Sequence, residues 1–188
     1  PLQIKSDSKA MSITMRTPGD DIALTLGFMF TEGLLKDFDE VADVVQEDDN
    51  TVNVMLEAGT KIEDKNLERN FYSTSSCGVC GKASVDAIMA QSMYSQAEND
   101  MIIDGKILFA LQEKLLAVQS AFEMTGGLHA CAIFSPEGDY LFHSEDVGRH
   151  NALDKLIGHA FMAGRIPLDK YILLLSGRAS FELIQKAS

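Results

Sequence analysis

The chain has 188 residues, 46% of them hydrophobic and 23% charged, enough for one compact domain, or one with a small appendage, around a sizeable core. Lys plus Arg number 16 and Asp plus Glu 28, a net charge of −12, which excludes a generic nucleic-acid binder because that function needs a cationic surface. No apolar run is long enough to span a bilayer, and no basic-then-apolar leader opens the sequence, so neither membrane insertion nor secretion is expected.

Met11 to Thr17 alternates apolar and polar residues and predicts a half-buried strand. Thr17-Pro18-Gly19-Asp20 breaks that strand and offers an N-cap to an apolar helix over Ile22 to Leu35. VADVVQ and TVNVMLE flank the acidic stretch Asp37 to Asn50 and predict a hairpin whose acids are a solvated edge and turn. Asn70 to Ser76 is polar and leads into Cys77-Gly78-Val79-Cys80, after which Lys82 to Met93 has helical spacing at Val85, Ile88 and Met89. A longer helix is expected over Ile107 to Phe122, with Leu108, Leu111, Leu115, Val118 and Phe122 on one face.

A glycine loop at Met124 to Gly127 then enters a strand over Ala130 to Phe134, and Tyr140 to His143 returns from the turn at Pro136 to Asp139. The next helix carries Leu153, Leu156, Ile157, Ala160 and Phe161 and ends near Gly164. Tyr171 to Ser176 is apolar on both faces and is expected to be a central strand, with a helix opening at Gly177-Arg178. This order predicts an α/β (α+β layered) protein, a mixed sheet covered by helices with a smaller N-terminal strand and helix part. The weakest boundary falls near Ser95 to Asp104, dividing residues 1–94, with the cysteine loop, from 95–188. Because the chain opens at Pro1 and stops at Ser188 inside a helical run, a longer natural protein is expected.

A framework of disulfides is not expected from three cysteines at this size, and a reduced cytoplasmic setting fits a close pair better. CxxC permits metal ligation, dithiol redox, nucleophilic catalysis or persulfide transfer, and each needs the thiolate. The helix start after Cys80 and the nearby Lys82 favour that thiolate, while Gly78 and Gly81 loosen the loop. A zinc site needs two more ligands, and His129 with Cys131 supply them awkwardly as close neighbours on one strand. A zinc deaminase needs His-x-Glu upstream of its cysteine pair, whereas here Cys131 stands in the glutamate position and the pair precedes the histidine. A thioredoxin-like pair follows a buried strand, which NFYSTSS is not. Cys131 reads as a small core residue.

Three further segments suggest a ligand site. Gly126 and Gly127 bring backbone close to a ligand, with His129 just beyond. Asp146, Arg149, His150 and Asn151 sit at one strand-to-helix junction, and Ser176, Gly177, Arg178 and Ser180 at another. Helix N-termini at strand ends favour phosphates, and an Arg at each adds bidentate contacts. Taken singly, Glu145 or Asp146 reads as a helix cap, Arg149 as one half of an ion pair and His150 as a hydrogen-bonded structural residue.

In order and over nearly the whole chain, the segments from Thr17, Asn70, Thr125, Ser144 and Leu174 resemble the FdhD family of formate dehydrogenase accessory proteins. The combination of CGVCGK with EDVGRHNALDK carries that resemblance. It implies a cytidine-deaminase-like fold without zinc chemistry. It further implies a cytoplasmic, commonly dimeric sulfurtransferase that takes persulfide sulfur from a cysteine desulfurase and passes it to bis-molybdopterin guanine dinucleotide, the molybdenum cofactor of formate dehydrogenase. Cys77 would be the carrier and Cys80 its neighbour in relay. Gly126, Gly127, His129, Asp146, Arg149, His150, Ser176, Gly177 and Arg178 would face the guanine dinucleotide, and no metal site is implied. Family members continue past the last residues of this chain to a segment implicated in cofactor binding. A zinc-stabilised interaction module and a guanine-nucleotide-binding accessory protein without sulfur chemistry are the alternatives.

Overall fold

The computed structural model describes residues 1–62 and 101–188. The expected cysteine loop, the helix over Lys82 to Met93 and the boundary between residues 94 and 95 therefore lie outside the described residues. Within them the strands divide between two sheets. Strands β1 (Leu2–Ser6), β2 (Lys9–Thr14), β3 (Val41–Asp48) and β4 (Thr51–Leu56) form a mixed sheet in the order β2-β1-β4-β3, with β1 and β4 parallel. Strands β5 (His129–Phe134), β6 (Tyr140–Asp146) and β7 (Ile172–Leu175) form an antiparallel sheet in the order β6-β5-β7.

Helices fill the space between and outside these sheets. Helix α1 (Asp21–Thr31) lies on the first sheet, packing Leu24, Leu26 and Met29 against Leu2, Ile4, Val52 and Val54. The second sheet is covered on both sides, as the strict alternation of β5 requires. Cys131 and Ile133 face Leu153, Leu156 and Ile157 of α4 (Arg149–Met162) and Leu183 of α5 (Phe181–Ala187). Ala130, Ala132 and Phe134 face Leu111 and Leu115 of α2 (Gly105–Leu116). The short α3 (Ser120–Thr125) links α2 to β5. The layers thus run first sheet, α1, α4, second sheet, α2. The layered α/β class is as the sequence implies, and no helix among the described residues is long and apolar enough to cross a membrane.

Several boundaries differ from the sequence reading for definite reasons. Strand β1 was not anticipated, and its signal is the alternation of Leu2, Ile4 and Ser6, all buried. Helix α1 stops at Thr31, not Leu35, because Gly33 turns the chain at φ 71° and sends Leu34 and Leu35 back into the core. The long helix to Phe122 is two helices, broken at residues 117–119, and Leu108 is half exposed on its outer side. Strand β7 pairs only with β5 among the described residues, so β5 and not Tyr171 to Ser176 is the central strand. The last helix opens at Phe181, capped by the Ser180 side chain, rather than at Gly177-Arg178.

Where α1 crosses α4, glycines from both helices let the backbones touch. A Cβ on Gly27 would lie 1.8 Å from the Asp154 carbonyl oxygen, and one on Gly158 would lie 1.9 Å from the Ala23 carbonyl oxygen. Lys186 of α5 completes the joint, its Nζ 3.0 Å from Asp154 Oδ1, 3.0 Å from Glu32 Oε1 and 2.7 Å from Thr31 Oγ1. Burial works against the charge of Lys186, yet Asp154 and Glu32 outweigh it and push its pKa up.

In an open helix, Gly→Ala would gain up to about 1 kcal/mol from propensity. At this crossing the added methyl meets backbone that has no rotamer to yield, and overpacking of that kind costs roughly 1–3 kcal/mol or more. The steric effect wins. Gly158→Ala is expected to lower the melting temperature by several degrees in a calorimetric scan, and a rise would show that the helices are not in backbone contact.

Candidate functional site

The pairing of the second sheet gathers the expected site residues at one end. Register sets His129 opposite Asp146 across β5 and β6, while Cys131 faces Leu175 across β5 and β7. The Gly126–Gly127 loop before β5, the junction after β6 and the junction after β7 therefore open side by side. The two junctions touch directly, His150 Nε2 lying 3.2 Å from Ser180 Oγ and 3.7 Å from Glu182 Oε2.

Beneath this surface lies a buried polar clamp. Asp146 is 0% exposed, and its carboxylate accepts from the Thr17 backbone N–H at 3.0 Å, the Gly148 N–H at 2.9 Å and Asn151 Nδ2 at 3.1 Å. Lys155 Nζ neutralises it at 2.9 Å and donates also to the Thr17 carbonyl at 2.9 Å. Asn151 donates to the Met15 carbonyl at 2.8 Å and accepts from Thr14 Oγ1 at 3.2 Å. Thr17 Oγ1 closes the circle by accepting from the Val147 N–H at 2.9 Å. Removing one member of such a buried pair strands the other charge, at about 3–5 kcal/mol. The clamp fixes the start of α4 against the chain leaving the first sheet. Asp146, expected to face a ligand, has no surface to offer one and works as the anchor of the residues that do.

Other expected residues also divide between support and exposure. Ser176 Oγ accepts from the Ala130 N–H at 2.7 Å, tying β7 to β5. Gly177 has φ 100°, and a Cβ there would sit 3.0 Å from the His129 ring, so no side chain fits. Gly126 ends α3 in the left-handed region at φ 65°, and Gly127 and Arg178 are exposed. Arg149 is different. It is only 7% exposed, and its buried Nε has no hydrogen-bond partner among the described residues. It stands at the first position of α4, whose N-cap, Gly148, supplies no side-chain cap. A buried guanidinium nitrogen without a partner among the described residues, at a helix start, is a feature that an anionic oxygen would satisfy. The expected pairing of Arg149 with an acid is not made among the described residues.

Sequence reasoning missed Thr17 and Lys155, and assigned Glu145 to the wrong helix. Lys155 lies one turn beyond Asn151, a helical spacing that places both on the face carrying Asp146. Thr17 gave no signal, since its partner Asp146 is 129 residues away. Glu145 does cap a helix, but α3 and not the one that follows it.

A separate hollow of about 790 Å³ lies near the far end of β5, lined by Ile133, Ser135, Phe142, Arg165, Leu168 and Tyr171. None of the expected site residues that are described borders it. Cys131 is not available either: burial among apolar groups pushes its thiol pKa up, with Asp154 adding to the effect.

The described residues thus define a layered α/β protein with an anion-compatible helix start where two strand-to-helix junctions meet. The FdhD/NarQ family profile matches residues 1–188, and the chain belongs to that family. Relatives named sulfur carrier protein FdhD include that of Streptomyces avermitilis, 46% identical over 100% of this chain and 70% of that protein. The protein of the same name from Mycobacterium tuberculosis is 42% identical over 100% of this chain and 72% of its own, and that from Sulfolobus acidocaldarius 41% over 100% and 70%. Among solved structures, a putative formate dehydrogenase accessory protein from Desulfotalea psychrophila aligns with a TM-score of 0.71 at 19% identity, covering 99% of this chain and 68% of that one. That match shows the fold alone.

The raised pKa of Cys131 leaves its thiolate unpopulated near neutrality. Iodoacetamide applied to the native protein at about pH 8 is expected to spare Cys131, as read by peptide mass spectrometry. Labelling at the rate of a free thiol would contradict the buried assignment.

Proposed function

We propose that this chain is a sulfur carrier, an accessory sulfurtransferase that passes persulfide sulfur from a cysteine desulfurase to the molybdenum cofactor required by formate dehydrogenase. Membership of the FdhD/NarQ family and the names of the relatives support the sulfur-carrying part of this reading. The observation that supports the acceptor part is Arg149, buried at the start of α4 with no partner on Nε among the described residues. Arg149, the first-turn N–H groups of α4, His150 and the exposed Gly127 and Arg178 take the guanine dinucleotide end of bis-molybdopterin guanine dinucleotide as substrate. Asp146, Ser176, Gly177 and His129 shape the cleft from below.

Cys77 supplies the chemistry in this reading. Its thiolate attacks the outer sulfur of the desulfurase persulfide, the sulfur–sulfur bond in the desulfurase breaks, and the desulfurase cysteine leaves as thiolate. Cys77 then carries the extra sulfur and Cys80 serves as its relay neighbour. Holding the nucleotide end fixes where the metal end sits, so the protein contributes positioning rather than activation of the acceptor. Cys131, sealed in the core, takes no part. The family resemblance further supports a cytoplasmic homodimer as the working form.

Incubation with a cysteine desulfurase and cysteine, followed by intact mass measurement, is expected to add sulfur to the native chain and none to Cys77→Ala. Sulfur retained by Cys77→Ala, or stoichiometric zinc lost on replacing Cys77 or Cys80, would overturn the carrier assignment and favour a metal-stabilised module.

A further inference from the structure

Glu145 does not cap the helix that follows it; its carboxylate turns instead to α3. Its side chain is 9% exposed, and its two carboxylate oxygens accept from the backbone N–H groups of Ala121 at 3.0 Å and Phe122 at 2.8 Å. These are first-turn amides of α3, a six-residue helix that receives no cap from its own Gln119. A helix that short does not hold itself in water, so its placement depends on what grips its ends.

From the carboxylate, two hydrogen-bonded threads run straight to the glycine loop. In one, Phe122 offers its N–H to Glu145 and accepts from the Gly126 N–H at 2.7 Å. In the other, Ala121 offers its N–H to Glu145 and accepts from Thr125 Oγ1 at 2.8 Å. One residue therefore separates the Glu145 carboxylate from Gly126, the turn at which α3 ends and the loop begins. Glu145 itself is fixed on its other sides. It pairs with Ala130 across the sheet, and the neighbouring Asp146 is locked in the buried clamp. His143 Nε2 stands 3.9 Å from Oε2, with its Nδ1 hydrogen-bonded to the Tyr140 hydroxyl at 2.7 Å.

We infer that Glu145 is a positioning residue, which couples the clamp at the start of α4 to the Gly126–Gly127 loop and so sets the two walls of the nucleotide cleft at one distance. The inference rests on the proposed function in one respect, that the glycine loop forms a wall of the nucleotide site. Glu145 touches no ligand in this account. It acts through α3, and a neutral amide in its place has one uncharged acceptor oxygen where the carboxylate sets a separate charged oxygen on each N–H.

The test is titration calorimetry with guanosine diphosphate on the native chain, Glu145→Gln and Glu145→Ala, alongside amide hydrogen exchange. Loss of both charge-assisted bonds is expected to weaken nucleotide binding about tenfold in Glu145→Ala, with Glu145→Gln between it and the native chain. Exchange is expected to accelerate over residues 121–127 in the same order, while the amides of α4 stay protected. A folded Glu145→Ala that binds the nucleotide as tightly as the native chain overturns the inference. So does weaker binding without faster exchange at 121–127. If Glu145→Ala does not fold, Glu145→Gln decides by the same two readouts. A native chain that takes no guanosine diphosphate overturns the nucleotide reading instead, an outcome separate from equal binding by all three proteins.

Discussion

Two helices touch through bare backbone where Gly27 of α1 meets Asp154 and Gly158 of α4, and this contact sets the rest of the architecture. Each helix lies on a different sheet, so their separation fixes the distance between the sheets. Side chains at the crossing would push the layers apart and pull Thr17 away from Asp146. The polar clamp, whose partners come from residues 14–17 on one side and 145–155 on the other, closes only because the helices approach this far. Lys186 reinforces the same joint from α5 by meeting Asp154 and Glu32 together.

The motif SEDVGRHNALDK therefore does two jobs in alternating positions. Asp146, Asn151 and Lys155 turn inward and are spent on the clamp. Arg149 and His150, between them in sequence, stand at the helix start, one with an unpartnered buried nitrogen and the other against Ser180. A rigid base beneath an unsatisfied cation is what a site for an anionic group requires, because the ligand then supplies the missing partner without reorganising its surroundings. Burial of the charged clamp is tolerated since every member has a partner, which a lone carboxylate at 0% exposure would not be.

Local pattern made much of this fold legible. The alternation through VADVVQ and TVNVMLE marked β3 and β4, and the apolar spacing of Leu153, Leu156 and Ile157 marked α4. The glycine loop and both junctions were legible as a candidate cleft because each lies at a strand end, and the sheet register brings those ends together. What local pattern does not carry is contact across the chain. Nothing in Leu24 or Ile22 announces that Gly27 will meet α4, and nothing near Thr17 points to Asp146. Burial likewise separates Asp146 from Arg149, although both look like plausible ligand contacts when read as letters. The cap of α3 was hidden because it is the Glu145 carboxylate, which arrives from a strand more than twenty residues later.

The account stands on the location of the anionic ligand, and hydrogen-exchange mapping of the native chain with and without guanosine diphosphate tests that location most directly. It predicts protection of the amides at 148–151 and around 176–180, with the hollow lined by Arg165 and Leu168 unchanged. Protection centred on that hollow, with the start of α4 unaffected, would contradict it.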